Sequence, residues 1–411
     1  MSDGILSNLL SIPAFLFFQG TWLIHSLRRP LILVSALCIL SNPRAAIRKL
    51  KLFYLTFLYL AFCKDKKWKI PKDTSFFFPK ELGGTSTTSS SSGSTAKYKE
   101  KTVILIRHGE STWNDTFNAG DRSKLIFFLF FIPNLLHALA VETYFFISGK
   151  DDESWFFDSA LSAKGVGQGE GLRKFLRKEK MRLGSSSSGN GNAREEHAVK
   201  LLLALDEEDD PSSQVVSSNL RRAISTAAIG LADRFVATNT SIQQQHGANI
   251  NNKDGILLLP CMQEISKNPD ALTILPPKGV AHPTWCDDVI VGLPPGTFTS
   301  LIDTRYHTGN KSIDSNGLIR LNQFCADIFD SSKLPKSNII FAGHSLFFRS
   351  FFQVYLPRGM EHVSKKKKLV NGGTVMVTLR EATLGNGRKE YMIDPKSVVM
   401  VYGGFGKHTK G

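Results

Sequence analysis

The stretch that decides the fold is Lys101-Thr-Val-Ile-Leu-Ile-Arg107-His108-Gly109-Glu110-Ser111-Thr112-Trp113-Asn114. Lys101 to Ile106 is a short β-rich apolar run, which reads as a strand buried on both faces. Arg107, His108, Gly109 and Glu110 follow at once. Polar groups at the C-terminal end of a buried strand are expected where an open α/β sheet opens its site. Three more runs repeat the pattern: Val215–Ser218 before Arg221 and Arg222, Asn338–Ala342 before Gly343 and His344, and Gly373–Leu379. Helical stretches lie between them, among them the small-residue segment Ala223–Phe235. The alternation predicts an α/β fold, a three-layer αβα domain with a mostly parallel sheet.

Four blocks in the same order carry a resemblance. They are Arg107–Asn114; Trp155 to Gln168, with Asp158, Leu161, Ser162 and Gly165 at fixed places; Ser217-Ser218-Asn219-Leu220-Arg221-Arg222-Ala223; and Gly343-His344-Ser345. Together they resemble the signature of the histidine phosphatase superfamily, which includes the phosphoglycerate mutases, over residues 100–380. Ordered motifs, each at a strand end or a helix start, are a specific signal. Phosphoryl transfer needs a nucleophile, cationic clamps and a proton donor for the leaving group. The resemblance gives His108 the first role, as the residue that becomes phosphohistidine. It implies phosphate binding by Arg107, Ser111, Asn114, Arg222 and His344. Arg221 competes with Arg222, and the family pattern favours the arginine just before Ala223.

The proton donor expected from the resemblance is an acidic residue some tens of positions beyond the second arginine. Glu264, after the apolar run that ends at Leu259, fits best, with Asp270 and Asp287 as rivals. Glu264 is followed by Ile-Ser-Lys rather than by the Tyr-Gly of mutases, which favours a phosphatase over a mutase. The resemblance implies no metal and no cofactor. The glycines Gly165, Gly167, Gly169 and Gly171 follow no strand, so they are not a dinucleotide loop. Gly343-His344-Ser345-Leu-Phe347 lacks the final glycine of a hydrolase nucleophile elbow.

Before this domain the composition changes. Residues 1–80 hold 12 basic and 3 acidic residues, out of 51 and 36 in the 411-residue chain. The basic excess therefore belongs to the N-terminus and excludes a nucleic-acid groove on the folded part. Apolar runs at Ile5–Ile24, Leu31–Leu40 and Leu52–Cys63 are each followed by Lys or Arg. Such runs fit membrane association with the catalytic domain on the cytoplasmic side. A cleaved organelle-targeting segment and a hairpin packed on the protein itself are the other readings. The Ser/Thr/Gly-rich residues 81–99 read as a linker, which gives three parts: 1–80, 81–99 and 100–411. Residues 122–148 are an apolar insertion in the last part, read as a lid or an interfacial helix, because a crossing would split the motifs between two sides of a bilayer. That insertion raises an amphiphilic or lipid phosphate beside a soluble one as the substrate. Cys38, Cys63, Cys261, Cys286 and Cys325 are scattered and odd in number, with no metal or disulfide pattern. The expected activity is hydrolysis of a phosphomonoester. The alternatives are a phosphoglycerate mutase and an inactive, membrane-tethered module that binds a phosphorylated ligand.

Overall fold

The computed structural model describes residues 29–30, 32–70, 98–120, 122–185, 192–205, 212–238, 254–281, 297–384 and 387–406. The apolar run Ile5–Ile24, the rival carboxylate Asp287, Cys286, nearly all of the linker and most of the three polar insertions lie outside the described residues.

Among the described residues, two helices come first, α1 (Ile32–Ser41) and α2 (Pro43–Phe62). Strand β1 (Tyr98–Arg107) leads to α3 (Thr112–Phe117), α4 (Lys124–Ile147), α5 (Ala163–Gly184) and α6 (Ala193–Leu203). Then come β2 (Ser213–Ser217), α7 (Arg221–Gly230), β3 (Ile256–Leu258), β4 (Ile302–Asp303) and α8 (Gly317–Phe329). Strand β5 (Asn338–Gly343), α9 (Ser345–Tyr355), β6 (Thr374–Thr383), β7 (Lys389–Ile393) and β8 (Val399–Tyr402) complete the chain.

All eight strands of the described residues join one sheet in the order β4-β3-β2-β5-β1-β6-β7, with β8 also on β6. The five strands from β4 to β1 are parallel, and β6, β7 and β8 run antiparallel at the other side. The sheet is thus parallel where the motifs lie. The fourth expected strand is β6, longer than read and reversed in direction.

Successive strand residues point to opposite faces. Ile104 and Ile106 of β1, with Ile340 and Ala342 of β5, pack on α5, α6 and α7 through Leu172, Leu202 and Ile224. Val103 and Leu105, with Ile339 and Phe341, pack on α8 and α9 through Phe324, Phe347 and Phe351. Both sides are covered, which explains the unbroken apolar runs and makes three layers. Helices α5 and α8 begin where a side chain satisfies a free amide. Ser162 Oγ accepts from Gly165 N (3.2 Å) and Asn316 Oδ1 from Ile319 N (2.9 Å).

The N-terminal helices rest on this domain. Lys49 of α2 pairs with Glu142 of α4 at 2.6 Å, both nearly buried. Arg48 pairs with Asp152, and Asn42 donates to Asp151. Tyr59 and Cys63 pack on Leu272. The chain then runs into the domain, where Lys64 N donates to Ile313 O and Asp65 O accepts from Gly317 N.

Candidate active site

Strands β1, β5, β2 and β3 are neighbours, so their C-terminal ends form one edge. Residue 107 closes β1 opposite residue 343 of β5, and His108 N donates to Gly343 O at 3.0 Å. This register brings two buried histidines together: the rings of His108 and His344 lie 5.0 Å apart.

The loop of His108 is held from four sides. Gly109 N donates to Thr226 Oγ1 (2.9 Å), Glu110 N to Gln168 Oε1 (2.8 Å) and Asn371 Nδ2 to His108 O (3.0 Å). From the fourth side the first turn of α5 presses against it. A Cβ on Gly165 would stand 1.9 Å from Glu110 O, and one on Gly109 would stand 2.3 Å from Gly165 O. Both positions need glycine for close backbone approach.

His108 Nδ1 lies 2.5 Å from Gly109 O. A carbonyl oxygen only accepts, so this contact puts the ring proton on Nδ1 and leaves the lone pair on Nε2. Burial, then Arg222 and Arg107, hold the His108 pKa well below its ordinary 6.5, so the ring stays neutral. His344 is depressed in the same direction by burial, Arg222 and His108. Its Nε2 is 2.9 Å from Ser218 Oγ, while its buried Nδ1 has no partner among the described residues.

The two arginines after β2 part company. Arg221 turns to Glu153 (2.7 Å) and the Asp152 carbonyl. Arg222 turns to the histidines, with Nη1 on Asp270 O (2.7 Å) and Nη2 3.5 Å from the Asp270 carboxylate. Arg107 donates to Leu369 O at 2.5 Å, and burial lowers its pKa to about 10, so it is charged at neutral pH. The Nε atoms of Arg107 and Arg222 are buried donors without a partner among the described residues.

Glu264 follows β3 and sits beside the start of α9. Its Oε1 accepts from Phe347 N (3.1 Å) and its Oε2 from Leu346 N (3.4 Å), next to His344. It also acts on the charge of Arg107. Burial raises the pKa of the rival Asp270, against the pull of Arg222. Ser111 and Asn114 instead make contacts within α3 and its caps. Ser111 Oγ accepts from Asn114 N (3.3 Å), and Asn114 Oδ1 accepts from Asn118 (2.6 Å).

Sequence reasoning missed Thr226, Ser218 and Asn371, which orient the histidines and their loop. It also missed the proximity of half-buried Lys368, on which the charges of Glu264 and Arg107 act. Ser218 stands in a quoted block, and Lys368 ends a lysine run with no marker of burial. Among the described residues no group of three His, Cys, Asp or Glu side chains could hold a metal.

Fold and site define a three-layer α/β protein with a pair of buried, neutral histidines flanked by two arginines at the sheet edge. No protein-family model matches the chain, and no curated protein matches it. Solved structures do. A phosphoserine phosphatase from Entamoeba histolytica, in complex with 3-phosphoglyceric acid, is 14% identical, with 75% of this chain and 98% of that one covered at a TM-score of 0.27. A mycobacterial glucosyl-3-phosphoglycerate phosphatase complexed with VO3 is 10% identical, with 72% and 97% covered at 0.27. Mycobacterial hydrolase 1 is 12% identical, with 74% and 99% covered at 0.31. These structures are histidine phosphatase superfamily members, the family that the four motifs resemble. At such identities and scores, the chemistry of this chain rests on its own site.

Proposed function

We propose that the chain hydrolyses phosphomonoesters through a phosphohistidine on His108. The observation that carries this is the His108 ring: neutral, with its proton on Nδ1 and its lone pair on Nε2, under the charges of buried Arg222 and half-buried Arg107. The Nε2 lone pair attacks phosphorus as the bond to the leaving oxygen breaks. Glu264 as the acid gives that oxygen its proton. Arg107 and Arg222 neutralise the charge on the equatorial oxygens, with their unpartnered Nε donors available to them. Water then attacks the phosphohistidine, Glu264 takes its proton, the P–N bond breaks, and phosphate leaves with His108 neutral again.

The finer reading is a membrane-associated enzyme with an amphiphilic phosphomonoester as substrate. It is supported by α4, long and apolar enough to cross a membrane yet with only Ala138 and Phe145 buried, and by the exposed apolar side of α2. Exposed Arg44, Lys51 and Lys64 suit the cytoplasmic leaflet.

Full-length protein and its His108→Ala variant are to be mixed with p-nitrophenyl phosphate, phosphoserine, 3-phosphoglycerate and micellar phosphatidic acid. Acid-labile protein phosphate and released phosphate are followed. Label on the unaltered chain only, with phosphate release fastest from the lipid, is the expected result. Exchange between 2- and 3-phosphoglycerate would make it a mutase. Binding without label or turnover would make it an inactive module, and equal rates on short and lipid substrates would remove the amphiphilic reading.

A further inference from the structure

Asp65 belongs to the N-terminal part of the chain, yet its side chain is 1% exposed inside the phosphatase-like domain. Its Oδ2 accepts from Lys311 Nζ at 2.7 Å. Its Oδ1 accepts from Arg320 Nη2 at 2.6 Å and Nε at 3.2 Å. The two cations are themselves buried, and both reach the turn that carries Glu264. Lys311 Nζ donates to Glu264 O (2.6 Å) and Ser266 O (2.7 Å). Arg320 Nη1 donates to Gln263 O (2.5 Å) and Cys261 O (3.1 Å). Four carbonyls between residues 261 and 266 are thus gathered on two positive groups, and Asp65 is the carboxylate that pairs with both. The fit around it is close. Gly317, whose amide donates to Asp65 O, has no room for a Cβ, which would meet Trp68 Nε1 at 2.6 Å.

We infer that Asp65 is a positioning residue for Glu264: the segment after α2 completes the active site by holding the backbone of the turn from which Glu264 reaches the start of α9. This rests on the reading of Glu264 as proton donor. Without Asp65, two buried cations face each other unpaired, which strongly disfavours the arrangement. Burial and Arg320 already lower the Lys311 pKa to about 8. Without the carboxylate it falls further, and a neutral amine holds the carbonyls of Glu264 and Ser266 more weakly. The turn then relaxes, and Glu264 loses its place on the amides of Leu346 and Phe347. The N-terminal helices are thereby tied to the chemistry through one carboxylate.

A residue that aims a proton donor shows itself through the leaving group. p-Nitrophenolate departs without protonation, whereas phenolate, a stronger base, gains from it. In the full-length protein, Asp65→Asn is expected to slow phosphoenzyme formation from phenyl phosphate by about tenfold and from p-nitrophenyl phosphate far less. Glu264→Gln should show the same selectivity at larger size, and the double variant should be no more selective than Glu264→Gln alone. Equal loss on both substrates for Asp65→Asn, with Glu264→Gln selective, would make Asp65 merely structural and overturn the inference. A Glu264→Gln variant without selectivity would remove the donor reading, and the inference with it. Should Asp65→Asn fail to fold, Asp65→Asn with Lys311→Met removes anion and cation together, and the same two outcomes decide.

Discussion

His108 is neutral because three influences agree: burial, Arg222 and Arg107 all disfavour a second ring proton. The sign follows. The unfolded ring takes up a proton as pH falls through 6.5, while the folded ring does not, so the unfolded state binds more protons and stability declines on acidification. His344 adds to the effect in the same direction. The expected outcome is a split. From about pH 8 to about pH 5, NMR titration should leave the His108 ring proton shifts flat through 6.5, while the thermal midpoint already falls. A His108 ring that titrates near 6.5 would remove the buried neutral nucleophile.

At the scale of elements, the close contact of α5 with the loop after β1 sets the site. Gly165→Ala drives a Cβ into Glu110 O, a backbone atom that cannot swing aside. It should cost about 1–3 kcal/mol and displace the His108 loop. Gly167→Ala, two residues on, is exposed with nothing near its Cβ, and should stabilise by about 0.4–1 kcal/mol. Thermal midpoints and phosphoenzyme yields of the two variants check this, and equal behaviour would refute it. The same elements show what the sequence makes legible. The ends of β1, β2 and β5 can be read because buried strands give unbroken apolar runs and the polar residues after them share one edge. Apolar periodicity does not tell Arg221 from Arg222: a helix start turns adjacent side chains by about 100°, so the choice of Arg222 rests on the family pattern alone, and the packing sends Arg221 to Glu153 and Arg222 to Asp270. Thr226, Asn371 and Asp65 reach the site through contacts across 117, 263 and 246 residues or so of chain, and local sequence says nothing about such partners.

For the whole molecule, the distribution of apolar surface is the unusual feature. Helix α2 is apolar on both sides: Ala45, Ala46, Leu52 and Tyr59 are buried together with Lys49 and Thr56, while Ile47, Leu50, Phe53, Tyr54, Phe57, Leu60 and Phe62 face outward. Glu142 of α4 accepts from Lys49 Nζ and Trp155 N, and His137 stacks edge-on against Trp155. These contacts tie the second half of α4 to the domain. Its Phe128, Leu129, Ile132, Leu136 and Leu139 remain exposed. Patches of this extent on a folded protein mark an interaction surface. Burying the outer side of α2 alone is worth on the order of 10 kcal/mol, at roughly 1.5–3 kcal/mol per side chain. On the proposed membrane-associated reading, these two apolar helices, linked by the Lys49–Glu142 ion pair and with Arg44 and Lys51 exposed, would lie in the plane of an anionic bilayer. Flotation with phosphatidylserine-containing vesicles should therefore carry the full-length protein. Phe53→Asp with Phe57→Asp on α2, or Phe128→Asp with Leu129→Asp on α4, should each weaken flotation at least tenfold, since an apolar side chain gives way to a charge. Turnover of p-nitrophenyl phosphate should be unchanged in both. If neither pair alters flotation, or if both change only the size of a soluble oligomer, the apolar surface serves contact between copies of the chain rather than with lipid.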